Sequence, residues 1–255
     1  VGNPRGWARG AGDPEQDARF VAGCGERGDP PVFVHAPLLV NLGSPTAATV
    51  TRSAAVLAHS LERGAAIGAR GVVFHAGSAV EPGQAAPALR QVRDVLLPLL
   101  ERGSEAGWPR LLVEPSAGGG WSLAARVEQL GTYLDAVDRH PRFGVCFDTC
   151  HACAAGHDLA APGGMAATLD SLVDTCGPDR LWLVHANDSK DPCGSTRDRH
   201  ETIGKGTIGL AGFGELMTHP ATAGVPVVVE TPTERHHGHA ADIATLKHLA
   251  RKATP

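Results

Sequence analysis

Phe143–His151 reads FGVCFDTCH: a short apolar run, then an aspartate and a histidine three residues apart. A near-continuous run of this length is what a parallel strand buried on both faces looks like. The polar residues gather at its carboxyl end. The same grammar recurs on both sides. Upstream lie Pro31–Pro37 (PVFVHAP), Gly71–Ser78 (GVVFHAGS) and Arg110–Gly118 (RLLVEPSAG); downstream lie Leu181–Asp188 (LWLVHAND) and Val225–Pro232 (VPVVVETP).

Stretches of helical character separate these runs: Thr46–Arg70, Gln84–Gly107, Ser122–Arg139, Gly164–Cys176, Leu210–His219 and Ala240–Lys252, with a weaker helix near Pro14–Glu26. Pro98 is expected to bend or break the second of them. Strand–helix alternation means βαβ units, which build either an open doubly wound sheet or a closed α/β barrel. No repeat or low-complexity linker divides the chain, so residues 1–255 are read as one domain. With 255 residues and 42% hydrophobic content, the chain is long enough for one large core.

The formal net charge is −4, which speaks against a generic nucleic-acid coat. It leaves room for a DNA enzyme whose positive charge comes locally from metal ions. The six cysteines, at 24, 146, 150, 153, 176 and 193, form no disulfide framework. They read as reduced thiols of a cytoplasmic protein. Cys150 and Cys153 make a C-x-x-C, but His151 between them has a better use than redox chemistry. No apolar run is long enough to span a membrane.

The strand candidates end in His35, His75, Glu114, Asp148 with His151, His185 and Glu230. Any one of these has a bland explanation, as a cap or a satisfied structural residue. All six segments ending in a ligand-type side chain is another matter, because the carboxyl ends of parallel strands form the active face of such folds. Asp198 and His200 add to the set from the long polar segment Ser189–Gly209, read as a loop. One spacer lets both point the same way if the segment is extended. The spacing of Asp148 and His151 puts both on one side if the chain turns helical after the strand.

Five histidines, two aspartates and two glutamates without thiolate suit Zn²⁺, with Mn²⁺ or Fe²⁺ as substitutes. Nine ligands are too many for one tetrahedral ion and suit two or three. Several adjacent ions suit phosphodiester hydrolysis, since an ion makes water nucleophilic near neutral pH and its neighbours neutralise the leaving alkoxide.

The segments GVCFDTCHACAAGHD (144–158), HANDSKDPCGSTRDRHETIGKGTIG (185–209) and VVVETP (227–232) resemble the signature regions of the endonuclease IV family. So do HAPLLVNLGSP (35–45), FHAGS (74–78) and VEPSAGGG (113–120). The resemblance runs in order along essentially the whole chain. It implies a TIM (β/α)8 barrel with a trinuclear zinc cluster. One ion would be held by His35, His75 and Glu114. A second would share Glu114 and add Asp148, His185 and Glu230. The third would take His151, Asp198 and His200. Glu114, Glu230 and Asp148 would be the catalytic carboxylates.

The implied activity is that of an apurinic/apyrimidinic endonuclease of the deoxyribonuclease IV type. It cleaves the phosphodiester on the 5′ side of an abasic site in double-stranded DNA and removes 3′-blocking groups. The resemblance also implies DNA contacts at Arg5 and at Leu38, which stands where some members carry a stack-entering tyrosine. Gly6 stands where the family often has glutamine. Lys190, Arg197, Arg199 and Lys205 are candidate phosphate contacts. His236, His237 and His239 are read as a solvated loop outside the ligand set. A monomer without membrane or protein partner is expected.

Family members open with a strand, a helix and a second strand before the NPRGW-like loop (residues 3–7 here). The six strands would then be the third to the eighth, the first β-α-β would be lacking, and the chain is expected to be a fragment, poorly soluble or inactive alone. Two rival functions remain at this stage: a metal-dependent sugar isomerase or epimerase on the same barrel type, and a non-catalytic protein that binds damaged DNA.

Overall fold

The structure is a computed structural model that describes residues 3–233 and 239–252. The chain divides into two compact units: Val1–Glu114 with Tyr133–Gly144, and Pro115–Thr132 with Val145–Pro255. In chain order the first segments are α1 (Pro14–Gly25), β1 (Phe33–His35), α2 (Ala47–Ala66), β2 (Gly71–His75), α3 (Ala85–Ala106) and β3 (Arg110–Glu114). A 3-10 turn (Val127–Gln129), α4 (Leu130–Ala136), β4 (Phe143–Asp148), α5 (Thr149–Ala154), α6 (Gly164–Cys176) and β5 (Leu181–His185) follow. The remainder is β6 (Asp188–Ser189), β7 (His200–Glu201), α7 (Gly209–Thr218), β8 (Val227–Val228) and α8 (Ala240–Lys252).

In the first unit β1, β2 and β3 run parallel, with Val34 beside Val72 and Phe74 beside Val113. Their side chains are buried on both faces, as continuous Val/Leu runs require: Val72, Val73, Phe74, Leu111, Leu112 and Val113 are each at most 1% exposed. Phe143 meets Phe74 edge-on and stacks on Tyr133, both at 6.1 Å between centroids. Gly71 has no room for a side chain, since a Cβ there would lie 2.9 Å from Leu112 and 3.0 Å from Phe33. In the second unit β4 and β5 run parallel, and β5 pairs with β8. Phe147, Leu183 and Val184 sit in its core.

Three readings of the helices and loops need correction. Pro98 neither breaks nor ends α3. The buried stripe of that helix is Ala88, Val92, Leu96, Leu100 and Gly103. Pro98 and Asp94 lie on the exposed side, where the carbonyl that the proline leaves unpaired is open to solvent. The helix expected over Ser122–Arg139 is confined to the 3-10 turn and α4. The Gln129 side chain accepts from the backbone N–H groups of Ala125 and Arg126, and Ser122 donates to the Ala124 carbonyl, so the segment before the turn is held as a loop. The segment Ser189–Gly209 is not wholly loop: β6 and β7 form a two-residue antiparallel ladder, Asp188 opposite Glu201 and Ser189 opposite His200.

His236 and His237 lie outside the described residues. The His239 ring nitrogen Nδ1 is 3.1 Å from the Thr231 hydroxyl. Among the described residues no helix is long and apolar enough to cross a membrane.

Candidate metal centre

Strand register brings many of the candidate ligand side chains together. In the first unit β2 and β3 place His75 directly beside Glu114, and β1 ends at His35. Nε2 of His35 lies 3.0 Å from Glu114 Oε2, and Nε2 of His75 lies 3.3 Å from the same oxygen. The Glu114 side chain is wholly buried. Nδ1 of His35 is 2.7 Å from the Ala36 carbonyl. A carbonyl can only accept, so that nitrogen carries a proton; Nε2 then faces a carboxylate that also only accepts, an arrangement that needs either a second proton on the ring or a cation between the two.

In the second unit β4 and β5 set Asp148 beside His185, and β5 pairs His185 with Val228, two residues before Glu230. Nδ1 of His185 lies 3.2 Å from Glu230 Oε2 and 3.9 Å from Asp148 Oδ2. Asp148 also caps α5 by accepting the His151 backbone N–H at 2.8 Å, which turns that histidine onto the same side. Nε2 of His151 and Nε2 of His200 approach the two oxygens of Asp198, at 3.2 and 3.0 Å. The Nδ1 atoms of these rings face the carbonyls of Pro115 and Glu230, each at 3.1 Å. Here too the backbone fixes the tautomer that leaves Nε2 free as a ligand.

Donor sets with ligand atoms within 4.8 Å of one another therefore exist as His35–His75–Glu114, Asp148–His151–His200 and Asp148–His185–Glu230. They fit metal ions on chemical grounds. A neutral imidazole lone pair facing a carboxylate is repulsive unless a proton or a cation lies between them. The electrostatics show that demand. Burial alone would lower His200, yet the adjacent carboxylates of Asp198 and Asp148 and the Glu230 backbone outweigh it and raise the imidazole to about 9. Burial alone would raise Asp198, but His151 and His200 hold its carboxyl well below the usual range. Despite the short approach to Asp198, the buried Nε2 of His200 makes no hydrogen bond. A divalent cation satisfies both partners at once.

Cys150 forms a further set of this kind with Asp198 and His200, but it offers a thiol rather than a thiolate. All six are free. Burial pushes Cys150 up to about 12 and Cys153 up to about 11, so these thiols stay protonated and unreactive.

A family model described as a xylose isomerase-like TIM barrel matches residues 1–252. A probable endonuclease 4 of Streptomyces coelicolor is 56% identical over 249 residues, covering 98% of this chain and 84% of that protein. The chain belongs to the endonuclease IV family. Its fold is the TIM barrel of that family. The crystal structure of endonuclease IV from Thermus thermophilus matches 99% of this chain and 87% of its own, with a TM-score of 0.85 at 32% identity. A D-tagatose 3-epimerase-like protein shares the fold alone, with a TM-score of 0.67 at 18% identity over 94% of this chain and 83% of its own.

In this endonuclease IV homologue the residues expected to meet DNA are exposed. Arg5 and Leu38 lie on neighbouring loops, because the Leu38 N–H donates to the Pro4 carbonyl at 3.0 Å. Leu38 is 52% exposed. Of the four loop cations, Arg199 grips Asp191 with both arms of its guanidinium, and Arg197 lies 3.7 Å from the same carboxylate. Both charges are therefore already partly neutralised. Lys190 and Lys205 are exposed.

Residue patterns missed the side chains that shape the site without facing it. Asp188 is fully buried and accepts four backbone N–H groups, from Ser189, Gly204, Gly206 and Ile208. It moulds the turn that carries Lys205. Gly206 has to be glycine there, since a Cβ would stand 2.4 Å from the Ser189 carbonyl. Asn41 does similar work in the first unit, accepting from Gly43 and Ser78 and so tying the loop after β1 to the loop after β2. The run HAND contained the signal, an amide and an acid directly after a ligand, but only contacts reveal the direction of each.

Proposed function

We propose that the chain is a DNA-repair endonuclease that hydrolyses the phosphodiester on the 5′ side of an abasic site, using three zinc ions per chain. The observation that carries the reading is the set of imidazole nitrogens whose tautomers are fixed by backbone carbonyls and whose lone pairs face carboxylates. Family membership supplies the reaction. His35, His75 and Glu114 would hold one ion, and Asp148, His151, His185, Asp198, His200 and Glu230 would hold the other two. When bound, the ions supply a water nucleophile near neutral pH and neutralise charge on the scissile phosphate and leaving oxygen.

The chain's own part is positioning. Glu114 and Asp148 are withdrawn from water and fix charge in place, while the Glu230 side chain, 40% exposed, reaches the surface where substrate arrives. Leu38 and Arg5 stand ready to fill the stack left by an extruded abasic nucleotide, a displacement that is cheapest where the base is already missing. Lys190, Arg197, Arg199 and Lys205 face the flanking phosphates. Removal of 3′-blocking groups would draw on the same residues.

The test is incubation of the chain with a duplex containing one abasic site, with and without chelator, alongside a metal count. Cleavage on the 5′ side leaving a 3′-hydroxyl, abolished by chelation, with about three zinc ions per chain, is the expected result. Binding without cleavage in the zinc-loaded protein, or a single ion with sugar epimerisation, overturns it.

A further inference from the structure

Asn187 is fully buried and follows the ligand His185 by two residues. Its side-chain oxygen accepts the Glu230 backbone N–H at 2.7 Å, which fixes the orientation of the amide. Its Nδ2 then faces two carboxylates, donating to Asp148 Oδ2 at 2.6 Å and to Glu230 Oε2 at 3.5 Å. Its own backbone N–H is held by the Thr149 hydroxyl, which in turn donates to the Asn187 carbonyl. The amide therefore has no freedom to turn. We infer that Asn187 is a positioning residue: its NH₂ group holds Asp148 and Glu230 together against their mutual repulsion and presets the Asp148–His185–Glu230 ion site. This inference rests on the reading that the set holds an ion.

The physical reason is that two carboxylates brought close in a poorly hydrated site repel until a cation arrives. A neutral donor placed between them lowers that cost without competing for the ion, and leaves on each carboxylate an oxygen or lone pair for coordination. Outer hydrogen-bond partners of this kind change metal affinity by about 10–100-fold.

Two variants separate the donor role from simple packing. Asn187→Ala removes both functions of the amide. Asn187→Asp keeps the shape and can still accept the Glu230 N–H, but cannot donate. The probe is zinc titration against a chromophoric chelator, with the absorption spectrum of the cobalt(II)-substituted protein as a second readout. In Asn187→Ala one zinc ion is expected to bind about 10–100-fold more weakly, while the affinity of the His35–His75–Glu114 ion is unchanged. The cobalt spectrum of Asn187→Asp is expected to depart from that of the wild type. Wild-type zinc affinity in Asn187→Ala, or a wild-type cobalt spectrum in Asn187→Asp, overturns the inference. If one variant does not fold, the other decides by the same criterion. A wild-type chain that binds no zinc sinks the reading of the site itself, whereas variants that bind as well as wild type sink only the role of Asn187.

Discussion

His35, His75 and Glu114 in the first unit stand on the ends of three successive parallel strands; the register sets His75 beside Glu114 and His35 beside Val73, and both imidazoles come within 3.0 to 3.3 Å of the Glu114 carboxylate. The six ligand-type residues of the second unit come from strand ends, from the first turn of α5 and from the β7 ladder, and are joined by side chains that bond the backbone. Hydrogen-bonded strands are an unyielding frame, so a triad built on them needs little outside help. In the second unit only Asp148 and His185 have such a frame, while Asp198 and Glu230 stand outside any strand, and buried residues such as Asp188 and Asn187 support that part. The first unit should therefore be robust to changes around its ligands, and the second sensitive to them.

The largest effect is expected from a ligand itself. Asp148→Asn should lower abasic-site cleavage by on the order of 10³-fold or more, because charge in a preorganised site is hard to replace. A single-turnover assay checks this, and near-wild-type cleavage would remove Asp148 from the machinery. His35→Ala should take one ion from the protein and leave those of the second unit bound, as read by metal analysis after gel filtration. Loss of all ions together would erase the distinction between the two regions.

Next in size is the frame of the second unit. Asp188→Ala strands four backbone donors, and hydrogen bonds to a charged group put the cost at about 3 kcal/mol. Thermal unfolding should fall by roughly 6–12 °C. Asn41→Ala, which ties only two donors in the first unit, should lower it by less. If Asn41→Ala proves the more damaging, the contrast between strand-built and loop-built sites fails.

The smallest effect concerns pH. His157 is buried, its Nε2 accepts the Val127 N–H at 3.2 Å, and burial together with Arg126 lowers its imidazole despite Glu128. The unfolded chain takes up this proton more readily than the folded one. The stability His157 contributes is thus complete above the ordinary histidine value of about 6.5 and declines as pH falls through that value. His157→Gln retains an acceptor and should flatten the decline in melting temperature between about pH 7.5 and 5.5. An unchanged slope would show that His157 is not the group responsible.

Strand positions were legible because burial on both faces leaves little choice but Val, Leu and Phe, as in Leu111–Val113. The ends of Gly164–Cys176 and Ala240–Lys252 were legible to the residue. Ser122–Arg139 was not, because Gln129 and Ser122 bind backbone groups that a helix would have used. Pro98 does not break α3, because it lies on the side of that helix that faces water.

By itself the sequence determined which residue types stand at the strand ends and, through their order and spacing, to which family the chain belongs. Only the tertiary structure decided which nitrogen of each histidine is offered, which carboxylate oxygen it faces, and that Asp188 and Asn187 are buried acceptors and donors rather than surface polar residues. The reason is physical. Periodicity and apolar content are local properties written along the chain, whereas the direction of a hydrogen bond is set by partners that lie tens of residues away.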